Sequence, residues 1–251
     1  MSAVRTQLAR GGTFFTNRAP QIPFRYVDEG QGGTLYFRDP TTANQPPRWS
    51  KAERESIPYV GTYSVRTCVG VYFAIDDRRC FLAHINAYRR VGWVGIPGRH
   101  VTAKQGEWFT GKVVRMLRHE AAWHDWRPDV ARSRILESLI MVCPEPGWED
   151  EEQTGVSPQK EKGVVSEKLT SCYVMEGIKQ FLQVEGSLER KDGFVVGHGN
   201  GYKELLSFDP NRWRVDNFIH HPELQKYKPI YEPVALGYNW MLELPGYLEA
   251  D

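Results

Sequence analysis

The sequence predicts an α+β fold in which helices pack against one face of a mostly antiparallel sheet. Three observations favour it. Short runs of β-branched and aromatic residues alternate with two segments of helical spacing, in the order strands, helix, strand, helix, strands. The 251-residue chain is long enough to bury a core without disulfides. Its composition, 41% hydrophobic and 25% charged, is that of an ordinary globular protein.

The N-terminal half contains one well-defined hairpin. Residues 11–49 are rich in Gly, Pro, Thr and Asn, which predicts extended chain wrapped on a domain, with one short strand at Thr34–Phe37. Two apolar runs, Cys68–Ile75 and Cys80–Asn86, flank the polar turn Asp76–Arg79. This pattern predicts two antiparallel strands joined by a short turn.

The C-terminal half alternates between helix and strand. Apolar residues at helical spacing predict a helix over Glu107–Ala122, and the run Ile135–Cys143 predicts a strand. A second helix is expected to begin at the N-cap Ser166 and to continue to Leu182. A closing hairpin is predicted around the glycine-rich turn at residues 197–201, with strands at 194–196 and 202–208.

These elements suggest how the chain is organised. We expect residues 1–58 to form the extended wrap and residues 59–215 to form the α/β domain that carries the chemistry. Residues 216–251 combine aromatic side chains with prolines, which suits extended segments packed on that same domain.

Charge, hydropathy and cysteine content exclude several classes of protein. Lys and Arg total 32 against 31 for Asp and Glu, so no strong field favours nucleic acid or an anionic membrane. No apolar run approaches the length of about 18 residues that a spanning helix requires. The four cysteines lack metal-finger spacing and are too few for a disulfide scaffold. We therefore expect a cytoplasmic protein without a nucleic-acid or membrane partner.

The hairpin has two unlike faces. One is a continuous apolar face, which we expect to lie on the core: Val69, Val71, Phe73, Phe81, Ala83 and Ile85. The other mixes small, polar and apolar residues: Cys68, Gly70, Tyr72, Cys80, Leu82, His84 and Asn86. If the turn centres on Asp76, Cys68 lies directly opposite His84, with Cβ atoms about 4.5–5.5 Å apart. The small Gly70 would then leave room for a ligand beside the thiol.

A thiol and an imidazole at that distance predict nucleophilic chemistry. The histidine can take the thiol proton, and the thiolate can attack an electrophilic carbonyl carbon. A nearby hydroxyl can orient the imidazole or the leaving group, and the Cys68 amide is a candidate oxyanion donor. The residues alone leave another interpretation open, because free cysteines are often buried and a facing histidine can simply be packed.

The pattern of Thr62, five intervening residues, Cys68 and then His84 at the end of the next strand resembles the chemoreceptor glutamine deamidase (CheD) family. Members carry a threonine six positions before a catalytic cysteine and a catalytic histidine about seventeen positions after that cysteine. The stretch from Thr67-Cys68 to Cys80-Phe81-Leu82-Ala83-His84 is also similar to the protein N-terminal asparagine amidohydrolase family. Cytotoxic necrotizing factor and related deamidase toxins use the same kind of catalytic Cys–His pair.

The resemblance implies a layered α/β sandwich of the CheD deamidase type. It also implies an amidohydrolase that deamidates a glutamine or asparagine carboxamide through a thioester, without a metal or organic cofactor. The catalytic residues would be Cys68, His84 and Thr62. We expect four further residues to line the substrate site: Gly70, Tyr63, Thr67 and Asn86.

Two alternatives remain open at this point. The same dyad would serve a thiol protease, esterase or acyltransferase, which differ only in acceptor and leaving group. A catalytically silent protein-interaction module on the same fold would use the aromatic, proline-rich flanks as its binding surface. The expected partner is a protein or small-molecule amide substrate, and the oligomeric state is left undetermined.

Overall fold

Two β-sheets and a layer of helices are stacked on one another. The computed structural model describes residues 20–37, 55–65, 67–91, 94–97, 100–143, 168–185, 189–207, 222–232 and 239–248. Within them the fold is an α+β sandwich with two main sheets in which most strand pairs are antiparallel. None of the helices in these ranges is both long and apolar enough to cross a membrane.

The first sheet has five strands. They are β1 (Ile22–Tyr26), β3 (Tyr59–Tyr63), β10 (Gly193–Gly197), β11 (Lys203–Leu206) and β12 (Tyr227–Tyr231). Their order across the sheet is β11-β10-β3-β1-β12. Strand β1 is parallel to both of its neighbours, whereas β10 is antiparallel to both of its own.

The second sheet has six strands around the long strand β5. They are β2 (Gly32–Tyr36), β4 (Val69–Ala74), β5 (Arg79–Val91), β6 (Val94–Pro97), β8 (Ile140–Val142) and β13 (Met241–Glu243). The path runs β13-β5-β4-β8, and β2 and β6 also pair with β5. The short strands β7 (His100–Val101) and β9 (Lys168–Leu169) form a separate pair.

Three α-helices are described: α1 (Ala103–Trp123), α2 (Pro128–Ser138) and α3 (Thr170–Leu182). A capping box starts α1, because the Thr102 side chain accepts from the Gln105 amide and the Gln105 side chain accepts from the Thr102 amide. Helices α1 and α3 bury apolar side chains against the six-stranded sheet, including Phe109 and Val113 of α1 and Ile178 of α3.

The hairpin lies at the centre of this arrangement. Its apolar face, from Val69 to Ile85, packs under the helices, as predicted. Its other face packs against the five-stranded sheet in a second apolar cluster, which contains Tyr72 and Leu82 of the hairpin with Val60 and Phe194 of the facing sheet. The face that carries His84 is therefore enclosed between two sheets. We call this space the inter-sheet layer.

The main predicted elements are present. The hairpin, the helix over Glu107–Ala122 and the closing hairpin are confirmed. The second helix is present but begins at Thr170 with Leu169 as its N-cap, so the N-cap predicted at Ser166, a residue outside the described ranges, is wrong. The strand predicted for Ile135–Cys143 is wrong in its first half. Among the α2 residues whose burial is described, 131–138, Ile135 is the buried one, and within the predicted run only Ile140–Val142 form a strand.

The N-terminal segment does more than wrap the domain. It supplies β1, an interior strand of the five-stranded sheet, and β2, which pairs with β5. The prediction of one strand at Thr34–Phe37 therefore missed β1 and placed β2 two residues late. Apolar and polar residues alternate only weakly in this segment, so the sequence gives little sign of a strand. Strand β1 is held by pairing with β3 and β12, which are remote in the chain.

Candidate active site

The register of the central hairpin differs from the predicted one. Gly70, not Cys68, is paired with His84, so the hairpin is symmetric about Asp77 rather than Asp76. The Asp76 carboxylate accepts hydrogen bonds from the Arg78 amide and the Arg79 side chain, and this local bonding shapes the turn. The shift leaves every side chain on its predicted face, because the pairing moves by a whole two-residue period.

Cys68 and His84 are consequently not directly opposed, although both side chains lie on the side of the sheet that faces the inter-sheet layer. Cys68 comes directly before β4 and lies in a bend outside the ladder, whose last pair is Val69 with Ile85. Residues offset along antiparallel strands stand farther apart than directly opposed ones, at about 7–8 Å for diagonal neighbours. Nε2 of His84 is buried and has no hydrogen-bond partner among the described residues, so the Cys68 thiol does not bond to it in this conformation.

Thr62 and His84 meet in the inter-sheet layer. Thr62 is fully buried on β3, and its Oγ1 lies 2.9 Å from Nδ1 of His84. The same hydroxyl donates a 2.8 Å hydrogen bond to the Val27 carbonyl. A hydroxyl has one proton, so Oγ1 must accept from Nδ1–H. This assigns the proton of the neutral imidazole to Nδ1 and leaves a lone pair on Nε2.

Burial controls the charge of His84. The side chain is 1% exposed, and burial lowers the pKa of His84 to about 4. Asp28 and Asp192 oppose this shift, because their negative charges favour the imidazolium and so raise the pKa. At neutral pH the ring is thus an uncharged base, and two carboxylates are placed to stabilise the charge it would acquire on taking a proton.

The segment between β3 and Cys68 crosses from one sheet to the other. Ser64 adopts φ of 58°, a left-handed conformation that costs a non-glycine residue about 1–3 kcal/mol. The next amide, that of Val65, donates to the Asp192 carbonyl, and the Val65 carbonyl accepts from the Cys68 amide. The Cys68 amide is therefore already engaged and is not available as the predicted oxyanion donor.

Two of the predicted substrate residues have other surroundings. A Cβ on Gly70 would lie 2.8 Å from Val142 and 3.2 Å from Thr62, so the expected space for a ligand is filled. Gly70 instead allows Thr62 to approach β4 closely. Tyr63 follows Thr62 on β3 and takes the opposite face, where it stacks on Tyr26 with ring centroids 4.5 Å apart. That face is turned away from His84.

The other two lie beside the candidate nucleophile. Thr67 is half-buried in the turn that leads to Cys68. Asn86 is 4% exposed and follows His84 by two residues on β5, so its side chain shares the face of His84. Its Nδ2 donates to the Glu29 carboxylate. Its Oδ1 has no hydrogen-bond partner within the described ranges.

The turn between β1 and β2 supplies groups that sequence reasoning missed. The Val27 carbonyl accepts a hydrogen bond from the Thr62 hydroxyl, and the Glu29 carboxylate accepts one from Nδ2 of Asn86. The negative charge of Asp28 acts to raise the pKa of His84. The Gly30 amide donates to the His84 carbonyl and the Gln31 carbonyl accepts from the His84 amide, both at 2.9 Å. No local pattern identifies these residues, because their partners lie far away in the chain.

No protein-family model, curated protein or solved structure matches this chain.

A second buried histidine lies elsewhere on the boundary between the sheets. The ring of His198 stacks on Phe37 with centroids 4.1 Å apart, and its Nδ1 lies 3.2 Å from the Tyr72 hydroxyl. Burial lowers the pKa of His198 as well. It follows β10 directly and forms no hydrogen bond to Thr62, so it serves below as a control for His84.

The described residues contain no group of three or more His, Cys, Asp or Glu side chains arranged to hold a metal ion. All four cysteines fall in the described part of the chain, and none forms a disulfide. The site contains a buried, neutral histidine with its proton on Nδ1 and a lone pair on Nε2, on the sheet face that also carries Cys68. These are the two groups that acyl transfer through a thioester requires.

Proposed function

We propose that this protein is a cysteine-dependent amidohydrolase that deamidates a glutamine or asparagine carboxamide. One observation carries the proposal. The Thr62 hydroxyl donates to Val27 and accepts from His84, which leaves Nε2 as a buried acceptor on the face of Cys68. The short motif shared with the glutamine deamidases and asparagine amidohydrolases supports the same reaction and the same layered fold.

The reaction proceeds in two steps. Nε2 of His84 takes the Cys68 thiol proton, and the thiolate attacks the carboxamide carbon. As the C–N bond breaks, His84 returns that proton to the nitrogen, ammonia leaves and a thioester remains. His84 then takes a proton from water, the resulting hydroxide attacks the thioester, and the carboxylate is released as the proton returns to the thiol.

Closure of the dyad requires a change at Cys68. Rotation of its side chain, or the arrival of substrate, must bring Sγ to Nε2, because the two atoms are not hydrogen-bonded in this conformation. Catalytic hydrogen bonds are often long before substrate binds and shorten in the complex. Thr62 acts as a positioning residue, whereas Thr67 and Asn86 are the residues proposed to touch the substrate.

The proposal also covers the cellular compartment, the substrate class and the cofactor requirement. We propose a reducing compartment such as the cytosol, since four cysteines without a disulfide suit it. The substrate is a protein-borne or small-molecule amide, and the chemistry uses no metal or organic cofactor. A thiol protease, esterase or acyltransferase would use the same dyad with another leaving group.

A protein-interaction module is the second candidate, and it has an observation of its own. Tyr231 is 60% exposed on the outer face of the five-stranded sheet, where it packs edge-on against Tyr26. Tyr26 in turn stacks on Tyr63. Tyrosines of this kind are common in binding surfaces. Such a module would have no need of a reactive thiol.

The deciding experiment measures alkylation of each cysteine by iodoacetamide, together with ammonia release from glutamine and asparagine peptides. We expect Cys68 to label first, and both labelling and ammonia release to fall in His84→Gln and not in His198→Gln. Cys80 is the internal control, because burial raises the pKa of its thiol. Equal labelling of Cys68 and Cys80, without ammonia release, would favour the interaction module.

A further inference from the structure

The orientation of the Asn86 side chain is set by Glu29. The carboxylate of Glu29 can only accept hydrogen bonds, so the NH2 group of Asn86 must be the end that faces it. Exchanging the two ends of the amide would set an oxygen against the carboxylate. Glu29 therefore directs Oδ1 of Asn86 away from itself.

Oδ1 of Asn86 and Nε2 of His84 are two of the five buried side-chain nitrogen or oxygen atoms that have no hydrogen-bond partner in the described part of the chain. Both are buried acceptors, both lack a hydrogen-bond partner among the described residues, and they belong to alternate residues on one face of β5. Cys68 comes directly before β4, whose last pair with β5 joins Val69 to Ile85, the residue between His84 and Asn86. Buried acceptors without partners are costly, so two of them beside a cysteine are expected where a ligand supplies the donors.

The turn that carries Glu29 is held by backbone hydrogen bonds. Gly30 has φ of +72°, and a Cβ there would lie 2.4 Å from the Met241 side chain. Its amide donates to the His84 carbonyl at 2.9 Å, and its carbonyl accepts from the Trp240 amide at 2.7 Å. The Trp240 carbonyl accepts from the Asn86 amide at 3.1 Å. Glu29, His84 and Asn86 are thereby fixed relative to one another.

We infer that Oδ1 of Asn86 accepts a hydrogen bond from the NH2 group of the substrate carboxamide, and that Glu29 is the positioning residue that keeps Oδ1 in that role. This inference rests on the proposed function and goes further, because it names what distinguishes an amide from an ester at this site. An ester has an oxygen where the carboxamide has NH2, and so it offers no donor to Oδ1.

The assignment also fits the direction of proton transfer. In the tetrahedral intermediate the departing nitrogen must face Nε2 of His84 to receive a proton as the C–N bond breaks. A hydrogen bond from that nitrogen to Asn86, two residues from His84 on the same face, would hold it in place. The second N–H of the amide and the carbonyl oxygen remain for other contacts.

The test compares a glutamine peptide with the same peptide carrying the γ-methyl ester of glutamate. We expect Asn86→Leu, which is close in shape, to lower kcat/KM for the amide about tenfold or more relative to the ester. Glu29→Met should lower the same ratio, whereas Glu29→Gln should largely preserve it, because a glutamine oxygen can still accept from the Asn86 NH2 group. Glu107→Met, at an exposed position on α1, is the matched control.

The outcomes separate the inference from the proposed function. A wild-type protein that hydrolyses both substrates, with ratios unchanged in Asn86→Leu and Glu29→Met, would overturn the inference and leave the function standing. A wild-type protein that hydrolyses neither, with Cys68 no more reactive than Cys80, would overturn the function and the inference with it. Because Glu29 is exposed, Glu29→Met tests the inference even if Asn86→Leu fails to fold.

Discussion

Thr62 and His84 are joined across the layer between the two sheets, with Oγ1 of Thr62 2.9 Å from Nδ1 of His84. The two residues lie on β3 and β5, which belong to different sheets. The tautomer of the histidine is thus set by the stacking of the sheets and not by the hairpin that carries it.

Removal of the Thr62 hydroxyl should disable the base. We expect Thr62→Val to lower kcat/KM for a carboxamide about 100-fold, because the imidazole loses the acceptor that holds Nδ1–H. The buried Val27 carbonyl also loses its donor, at a cost of about 1–3 kcal/mol of stability. Steady-state kinetics of Thr62→Val and Thr62→Ser provide the check. Equal activity in the two variants would contradict the role.

The acid limb of the pH profile of kcat/KM should have its midpoint at an unusually low pH. Burial lowers the pKa of His84 to about 4, and the active form is the neutral ring. We therefore expect kcat/KM to lose no activity through protonation of His84 between pH 7 and about 5, and to fall as the pH drops through about 4. The profile is measured on wild type and on His198→Gln, which should match. A limb centred near 6.5 would indicate a solvated histidine instead.

Stability should also depend on pH through His84. Its folded pKa is lower than its unfolded value of 6.5, so the unfolded chain binds the proton first as the pH falls. The neutral ring favours the folded state fully above that value, and this contribution is lost progressively towards pH 4. Between pH 6.5 and 5 we expect the free energy of unfolding to fall about 2 kcal/mol more in wild type than in His84→Gln. Urea titrations of both proteins measure the difference, and parallel curves would refute it.

Gly70 should tolerate no side chain. Its Cβ would lie 2.8 Å from Val142 and 3.2 Å from Thr62, so Gly70→Ala should cost about 1–3 kcal/mol and displace the Thr62 hydroxyl. Gly111→Ala is the matched control, because that helical Cβ would meet only the end of the Arg115 side chain, at 3.3 Å. Thermal unfolding and activity are measured for both. A Gly70→Ala protein as stable and active as wild type would be inconsistent with this packing.

Much of the hairpin could be predicted from the sequence, because a two-residue period fixes which side chains share a face. The register could not, since it depends on how the Asp76 side chain bonds within the turn. The motif implied that Thr62 belongs to the site, but nothing in the sequence predicted that its hydroxyl would meet Nδ1 of His84. The role of the β1–β2 turn was not predictable, because Val27, Asp28 and Glu29 act on residues of other strands.

The two helices at residues 103–138 also differ in how well the sequence predicts them. The helix over Glu107–Ala122 was predictable from its apolar spacing, and the structure extends it to Ala103–Trp123. The helix Pro128–Ser138 was not, because Ile135 is the one buried residue between positions 131 and 138 and merges with the apolar run of the next strand. Short segments with so few buried positions carry too little periodicity to be separated from their neighbours.

The hydrogen bonds that tie Trp240 to Gly30 and Asn86 have a consequence for biosynthesis. Residues 30 and 86 leave the ribosome long before residue 240, and until Trp240 emerges the Glu29 turn, which bonds directly to His84, lacks its second link to β5 through Trp240 and Asn86. Domains generally form as units during translation, so the amide-reading part of the site is completed only once Trp240 has emerged. Until then the growing polypeptide carries Cys68 and His84 but not the complete proposed site.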